Sequence, residues 1–177
     1  NKLGANSILA VSIATCKLAA VSKKISLFKY LGGNTNNQMP LPLMNIINGG
    51  AHANNSLRIQ EFMIRPERPK TFSESIRICF LVIQKLKSLI NNKKLSTTVG
   101  DEGGFAPSLN TNEEAIEFII EAIEKSGFKP GEEVSICLDV AANELYKESK
   151  YSIQSSNFES IENTMDYYLD LIDKYPI

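Results

Sequence analysis

The sequence has no tryptophan and a single histidine, His52, and its cysteines are only three, Cys16, Cys79 and Cys137. With no Cys or second His near His52, a zinc site of the Cys/His kind is excluded. An odd, widely spaced cysteine set excludes a disulfide framework. Each cysteine lies in an apolar run (Ile13–Cys16, Ile78–Phe80, Ile136–Leu138), so all three read as buried small hydrophobes of a reducing compartment. Proline and glycine are sparse too, at 7 and 10, and with 43% hydrophobic and 22% charged residues the composition is that of a packed globular chain and not of a disordered one.

An excess of one charge is also lacking. Nineteen basic against twenty acidic residues leave a net charge of −1, which offers no field to gather nucleic acid or an anionic membrane. The charge is uneven, since residues 58–94 carry nine Lys/Arg against three Glu and residues 113–177 carry fifteen acids against five Lys. No aromatic side chains interleave with the basic stretch as base stacking requires. Nor is there a clean membrane-length apolar run. Ile8 to Ala20 is diluted by Ser12 and Thr15 and interrupted by Lys17, short of the ~18 apolar residues that span a bilayer, and reads as a buried helix. The Gly-Gly pairs at 49–50 and 103–104 lack both the Gly-Lys-Ser/Thr ending and the Gly-x-Gly-x-x-Gly frame of phosphate loops. At 177 residues the chain suits one domain, or one domain with an incomplete neighbour, and its start at Asn1 and stop at Tyr175-Pro176-Ile177 suggest an internal fragment.

What is present is a series of periodic segments. Residues 6–21 and Ser26 to Leu31 read as helices, followed by the turn-prone Asn34-Thr35-Asn36-Asn37-Gln38, taken as a domain boundary. Pro40 to Asn48 and Ile59 to Ile64 read as strands joined by a loop that holds His52. Thr71 with Glu74 and Thr111 with Glu114 are capping-box pairs. The first opens a helix to about Asn91 with a stripe of Ile76, Cys79, Phe80, Ile83, Leu86 and Ile90, the second a helix striped by Ala115, Ile116, Ile119, Ile120 and Ile123 and capped by Gly127. A short strand is expected near Thr97 to Gly100 and another over Val134 to Leu138. A last helix runs from Ile161 to Lys174, and Pro176-Ile177 would start a further strand. Strands alternating with helices argue for an α/β architecture with parallel pairing.

In such folds ligands gather at the carboxyl ends of the strands. Asp139 closes the run Val134 to Leu138, which fits a turn acid as well as a ligand-facing carboxylate. Glu61 stands among apolar residues and must face solvent or a polar cavity, because burying an unpaired carboxylate is costly. Asp101-Glu102, flanked by Gly100 and Gly103-Gly104, makes little sense as a helix or strand face; the glycines let the backbone bend so that a carboxylate can reach a ligand, or else the segment is a surface turn. Three separated acidic positions with Gln60 and His52, and no cysteine among them, favour a hard cation such as Mg²⁺ and an anionic substrate.

The segments Leu3 to Ser12, Met44 to Ala53, Gln60 to Ile64, Val99 to Pro107, and Leu138-Asp139 with Glu144 to Lys147 together resemble enolase, the glycolytic phosphopyruvate hydratase, over essentially the whole chain. Asn54-Asn55 looks more like its bacterial or organellar branch. The resemblance implies that residues 1–38 are the helical end of an α+β N-terminal domain. Residues 39–177 would be the first half of a barrel that opens strand-strand-helix-helix, its first two strands antiparallel, before settling into β/α units. It implies a Mg²⁺-dependent lyase that interconverts 2-phosphoglycerate and phosphoenolpyruvate. In that family a lysine base removes the C2 proton, Mg²⁺ offsets the charge of the enolate, and a glutamate assists departure of the C3 hydroxyl. By motif match Glu102 would be the proton donor, Glu61 would assist at the leaving hydroxyl, Gln60 and His52 would contact substrate, and Asp139 would be a Mg²⁺ ligand. Asp101 would stand behind them.

The family's lysine base and its remaining metal ligands would fall beyond residue 177, so the fragment alone is expected to be inactive; the alternative is a truncated, non-catalytic product or binding module. Arg58 replaces an acid usual in bacterial members. The resemblance further implies a homo-oligomer, most simply a dimer, without nucleic acid or a membrane span, and a cytoplasmic location, although family members also reach the cell surface.

Overall fold

The computed structural model describes residues 2–33, 38–153 and 158–177. The chain divides into two compact units, Asn1–Pro40 and Leu41–Ile177. The Asn-rich stretch expected as a boundary falls largely on residues 34–37, outside the described residues.

The first unit holds helices α1 (Ala5–Ser22) and α2 (Leu27–Gly32). A run rich in Ala, Ile and Leu without internal Gly or Pro favours helix, but in α1 the apolar residues encircle the axis and form no stripe. The expectation of a buried helix is corrected here. Of α1 only Ala20 is buried, while Ile8, Leu9, Val11, Leu18 and Val21 are exposed. Two helices alone provide no layer able to cover a helix that is apolar on every side. By length and composition, with a mean hydropathy of 1.4, α1 is apolar enough to cross a membrane. Cys16 is half-buried.

The second unit runs β1 (Met44–Asn48), β2 (Glu61–Pro66), α3 (Phe72–Asn92), α4 (Asn112–Lys125), β3 (Val134–Asp139), a single helical turn α5 (Ala142–Leu145), a small hairpin of β4 (Tyr146–Lys147) and β5 (Lys150–Tyr151), and α6 (Ile161–Lys174). Both expected caps form. Thr71 and Thr111 accept hydrogen bonds from the amides of Glu74 and Glu114, each at 3.1 Å. The glutamates reach back one residue further than the usual box, to the amides of Lys70 at 2.7 Å and Asn110 at 2.9 Å. After α4 the amides of Gly127 and Phe128 donate to the carbonyls of Glu124 and Ile123, a Schellman ending that requires the left-handed φ of +84° at Gly127.

Between them α3 and α4 cover one face of the sheet. The α4 stripe is buried as expected, with Ile120 half-buried at its margin. On α3 the buried face consists of Ile78, Cys79, Val82, Leu86, Leu89 and Ile90, whereas Ile76 and Phe80 are 38% and 57% exposed, so the expected stripe is rotated about the axis. Apolar residues stand on two adjacent faces of this helix, and periodicity alone does not tell which one meets the sheet. Each fully buried Ile, Leu or Phe, such as Ile47, Phe62, Ile64, Leu86 and Ile119, contributes about 1.5–3 kcal/mol.

The sheet order is β1-β2-β3, with β2 antiparallel to both neighbours. The parallel pairing suggested by helix spacing is therefore corrected, and the antiparallel opening pair implied by the resemblance is what the structure has. A loop joins β1 to β2, so the chain reverses once. Two helices join β2 to β3, so it reverses three times, and an odd number of reversals gives antiparallel neighbours. As a result β1 and β3 end, and β2 begins, at the same edge of the sheet. The register slips between Asn45 and Ile47, making Ile46 an extra residue on β1. The strand expected near Thr97 to Gly100 reduces to one bridge, Val99 to Phe105. Pro176-Ile177 forms no assigned strand, though the Pro176 carbonyl accepts from the Ile136 amide at 3.0 Å beside β3. Cys79 is buried, and burial pushes its thiol up to about 11; Cys137 on β3 is only half-buried.

Candidate active site

The shared sheet edge carries the acids. Glu61 opens β2 and pairs in register with Asp139, the last residue of β3, while Asn48, the last residue of β1, pairs with Glu61 from the other side. The loop after β1 brings His52 over this edge, folded against the segment leading into β2 by the Gly50 amide on the Leu57 carbonyl at 2.9 Å and the Gly49 amide on the Gln60 carbonyl at 3.0 Å. The segment after α3 returns to the same edge through Phe105, which exchanges backbone hydrogen bonds with β1: the Phe105 amide donates to Ile46 at 2.9 Å and its carbonyl accepts from Asn48 at 2.8 Å.

Glu102 lies just before this anchor. The expectation that flanking glycines provide the bend is corrected in one respect. Gly100 and Gly104 have φ of −86° and −70°, open to any residue, while Glu102 itself takes φ +63° and Gly103 φ +88°. Gly100 and Gly104 are needed for closeness, since a Cβ on either would come within 2.7 Å of the Asn48 side chain. A glutamate held in the left-handed region is costly by about 1 kcal/mol or more and persists where surrounding contacts impose it, which is common at working sites.

The ligand atoms of His52, Glu61 and Glu102 all lie within 4.8 Å of one another. Three of the five expected site residues are thus brought together. Asp139 stands opposite Glu61 in the sheet but outside that group, exposed, with its Oδ1 accepting from the Ala141 amide at 2.9 Å. Gln60 directly precedes Glu61, and its amide donates to the Asp139 carbonyl at 3.1 Å. His52 and Glu61 side chains are 19% and 13% exposed, so Glu61 is largely covered and does not face open solvent. The His52 Nδ1 is 3.5 Å from Glu61 Oε1, too far for a good hydrogen bond, and finds no other partner among the described residues. Asp101 is exposed in the same turn as Glu102.

Burial, followed by the hydrogen bond and the charge of Glu102 and then the charge of Asp139, raises the Glu61 carboxyl above its ordinary value of 4.5; His52 acts weakly the other way. A carboxyl with a raised folded-state pKa adds stability that is fully present below 4.5 and is lost as pH rises through the folded-state value. In metal-free protein, Glu61→Gln is therefore expected to gain in melting temperature relative to the parent as pH rises from acid to neutral. A difference constant across that range would contradict the carboxylate crowding.

The carboxylates of Glu61 and Glu102 with the imidazole of His52 could hold a divalent cation, with the Asp139 carboxylate on the neighbouring strand outside that group, and the oxygen-rich set favours a hard ion. Sequence reasoning missed Asn48 and Asn55. Asn48 is completely buried and bonds the Glu102 turn, and Asn55 Nδ2 donates to the carbonyls of Asn48 at 2.9 Å and Pro107 at 3.1 Å. The available signal was an asparagine ending an apolar strand directly before Gly49-Gly50.

The family model described as "Enolase, C-terminal TIM barrel domain" matches residues 36–177. A relative named "Enolase" from Pelagibacter ubique (strain HTCC1062) is 60% identical over 175 residues, which is 99% of this chain and 42% of that protein. The chain thus spans less than half the length of this curated relative, and it belongs to the enolase family.

Proposed function

We propose that the protein carrying this chain is a phosphopyruvate hydratase that interconverts 2-phosphoglycerate and phosphoenolpyruvate, in glycolysis and gluconeogenesis. The observation that carries this reading is the convergence of His52, Glu61 and Glu102 within 4.8 Å at the sheet edge that Asp139 shares. Loss of a β-hydroxyl from a carboxylate substrate requires a proton for the departing oxygen, because hydroxide is a poor leaving group. Glu102, exposed and beside a second carboxyl, suits the donor. Glu61, its affinity for a proton raised by burial and by Glu102, shares the departing oxygen. Gln60 and His52 bind and orient substrate beside Glu61, and the half-buried setting of His52 and Glu61 limits competing water.

Asp139 would hold Mg²⁺, which when bound supplies positive charge against the negative charge building on the substrate carboxylate. A cytoplasmic homodimer follows from the same family reading. The test is an assay of the whole protein with 2-phosphoglycerate and Mg²⁺, followed by the ultraviolet absorbance of the product. Turnover that disappears on chelation and returns with Mg²⁺ is expected. Absence of turnover in folded, Mg²⁺-supplied protein would overturn the proposal.

A further inference from the structure

The strained turn that carries Glu102 needs an external hold. Within itself it has the Gly100 amide on the Gly104 carbonyl at 2.8 Å and a long 3.4 Å bond from the Gly103 amide to the Gly100 carbonyl. Asp101, Glu102 and Gly103 are exposed, so packing adds little. The tie to the sheet is the side chain of Asn48, whose Nδ2 donates to the Asp101 carbonyl and, at 3.3 Å, to the Gly104 carbonyl. Those two carbonyls bracket Glu102 and Gly103, the residues at positive φ.

The orientation of the Asn48 amide is set from behind. Its Oδ1 accepts from Asn45 Nδ2, which leaves both Nδ2 hydrogens aimed at the turn. Residues three apart on a regular strand face opposite sides; the extra residue Ile46 restores Asn45 and Asn48 to the same side. A bulge at this point therefore does structural work for the turn. The fit is close, because a Cβ at Gly100 or Gly104 would meet Asn48 at 2.7 Å.

We infer that Asn48 is a positioning residue: its side-chain amide, oriented by Asn45 across the β1 bulge, clamps the Asp101–Gly104 turn so that the Glu102 carboxyl stays within reach of Glu61. Asn48 does not touch the reacting atoms and acts through Glu102. The catalytic consequence rests on the function proposed above, but the mechanical consequence does not.

Asn48→Ser is short enough to lose both carbonyls without placing a charge in the core, and Asn48→Asp keeps the shape while replacing the donor with an acceptor. In the whole protein Asn48→Ser is expected to lower kcat about 10²-fold with a much smaller change in KM, the scale of a misplaced catalytic group. In a Glu102→Gln background the same substitution should cost little further, since the group it positions is already gone. Equal losses in both backgrounds, or an unchanged kcat, would overturn the inference by showing that Asn48 supports the fold alone.

Amide hydrogen exchange supplies the readout that does not need turnover. Both Asn48 variants should speed exchange at Gly100, which depends on the closed turn, while leaving Phe105, bonded to the sheet, protected. Unchanged exchange at Gly100 would refute the clamp. Should the parent protein show this exchange pattern against its variants yet lack activity on 2-phosphoglycerate, the functional reading fails and the clamp stands.

Discussion

Glu102→Gln is expected to lower kcat on 2-phosphoglycerate about 10²–10⁴-fold, the usual contribution of a positioned proton donor. The substitution keeps the length and shape of the side chain and removes only the proton it gives and takes. The turn should survive it, because the bonds that hold residues 101–104 run from the Asn48 amide and from backbone groups, and the contact of the Glu102 side chain with Glu61 is one that a glutamine can also make. A loss of activity with an unchanged melting temperature would therefore report chemistry. Glu102 is also one of the groups that raise Glu61, so the glutamine variant should relieve crowding and leave Glu61 more readily ionised. Glu102→Asp offers a stricter comparison: it retains the acid but draws it back by one methylene from a group defined within 4.8 Å, and should fall between parent and glutamine variant. Normal turnover by the glutamine variant would remove Glu102 from the mechanism.

Signals in the sequence are legible where the physics is local. A threonine three residues before a glutamate makes a helix start whatever the rest of the chain does, and both such starts form at Thr71 and Thr111. The helix Ile161–Lys174 and the glycine ending of α4 are equally self-contained. Features that depend on what lies opposite were not legible. On α3, Ile76 and Phe80 are as apolar as Ile78 and Val82, and only the placement of the sheet decides which pair is covered. Strand direction follows from the number of chain reversals, which helix spacing alone did not reveal. The hairpin β4–β5 is silent in sequence because its two turn residues, Glu148 and Ser149, take φ of +51° and +63° without the Asn or Gly that usually announces such a turn.

The same division applies to the site. Glu61, Glu102, His52 and Asp139 could be singled out because charge or a lone histidine is conspicuous beside apolar or glycine-rich sequence. Their common location needed the topology that brings the ends of β1 and β3 to the start of β2. The asparagines behind them are silent in sequence: Asn48 looks like a turn residue before Gly49, and nothing local reveals that it is fully buried with its amide committed to a turn more than fifty residues away. A polar residue in the core is identified by its partners, and partners at long range are invisible in composition.

Asn112 shows how much stability such a residue can carry, and Asn112→Leu is expected to destabilise the fold by about 3 kcal/mol or more. Its neighbours Asn110 and Thr111 suggest a polar helix start, but Thr111 alone serves as the cap, which frees the Asn112 side chain to face inward at 3% exposure. There Oδ1 accepts from the amides of Arg58 at 3.1 Å and Ile59 at 3.3 Å, and Nδ2 donates to the Ile153 carbonyl at 3.1 Å and the Tyr167 hydroxyl at 3.0 Å. One side chain thus joins the loop before β2, the start of α4, the segment after β5 and α6. Leucine has a similar branched shape, so little is lost in packing, but three backbone groups lose their partner at about 1–3 kcal/mol for each one left buried and unsatisfied. Asn112→Asp separates polarity from shape, because a carboxylate still accepts from Arg58 and Ile59, the Tyr167 hydroxyl can turn to donate, and the first helical turn offsets part of the cost of burying the charge. Only the Ile153 carbonyl is then deprived. Urea unfolding should place the leucine variant well below the aspartate variant, with the parent highest. A leucine variant as stable as the aspartate one would mean that water, not Asn112, satisfies these groups.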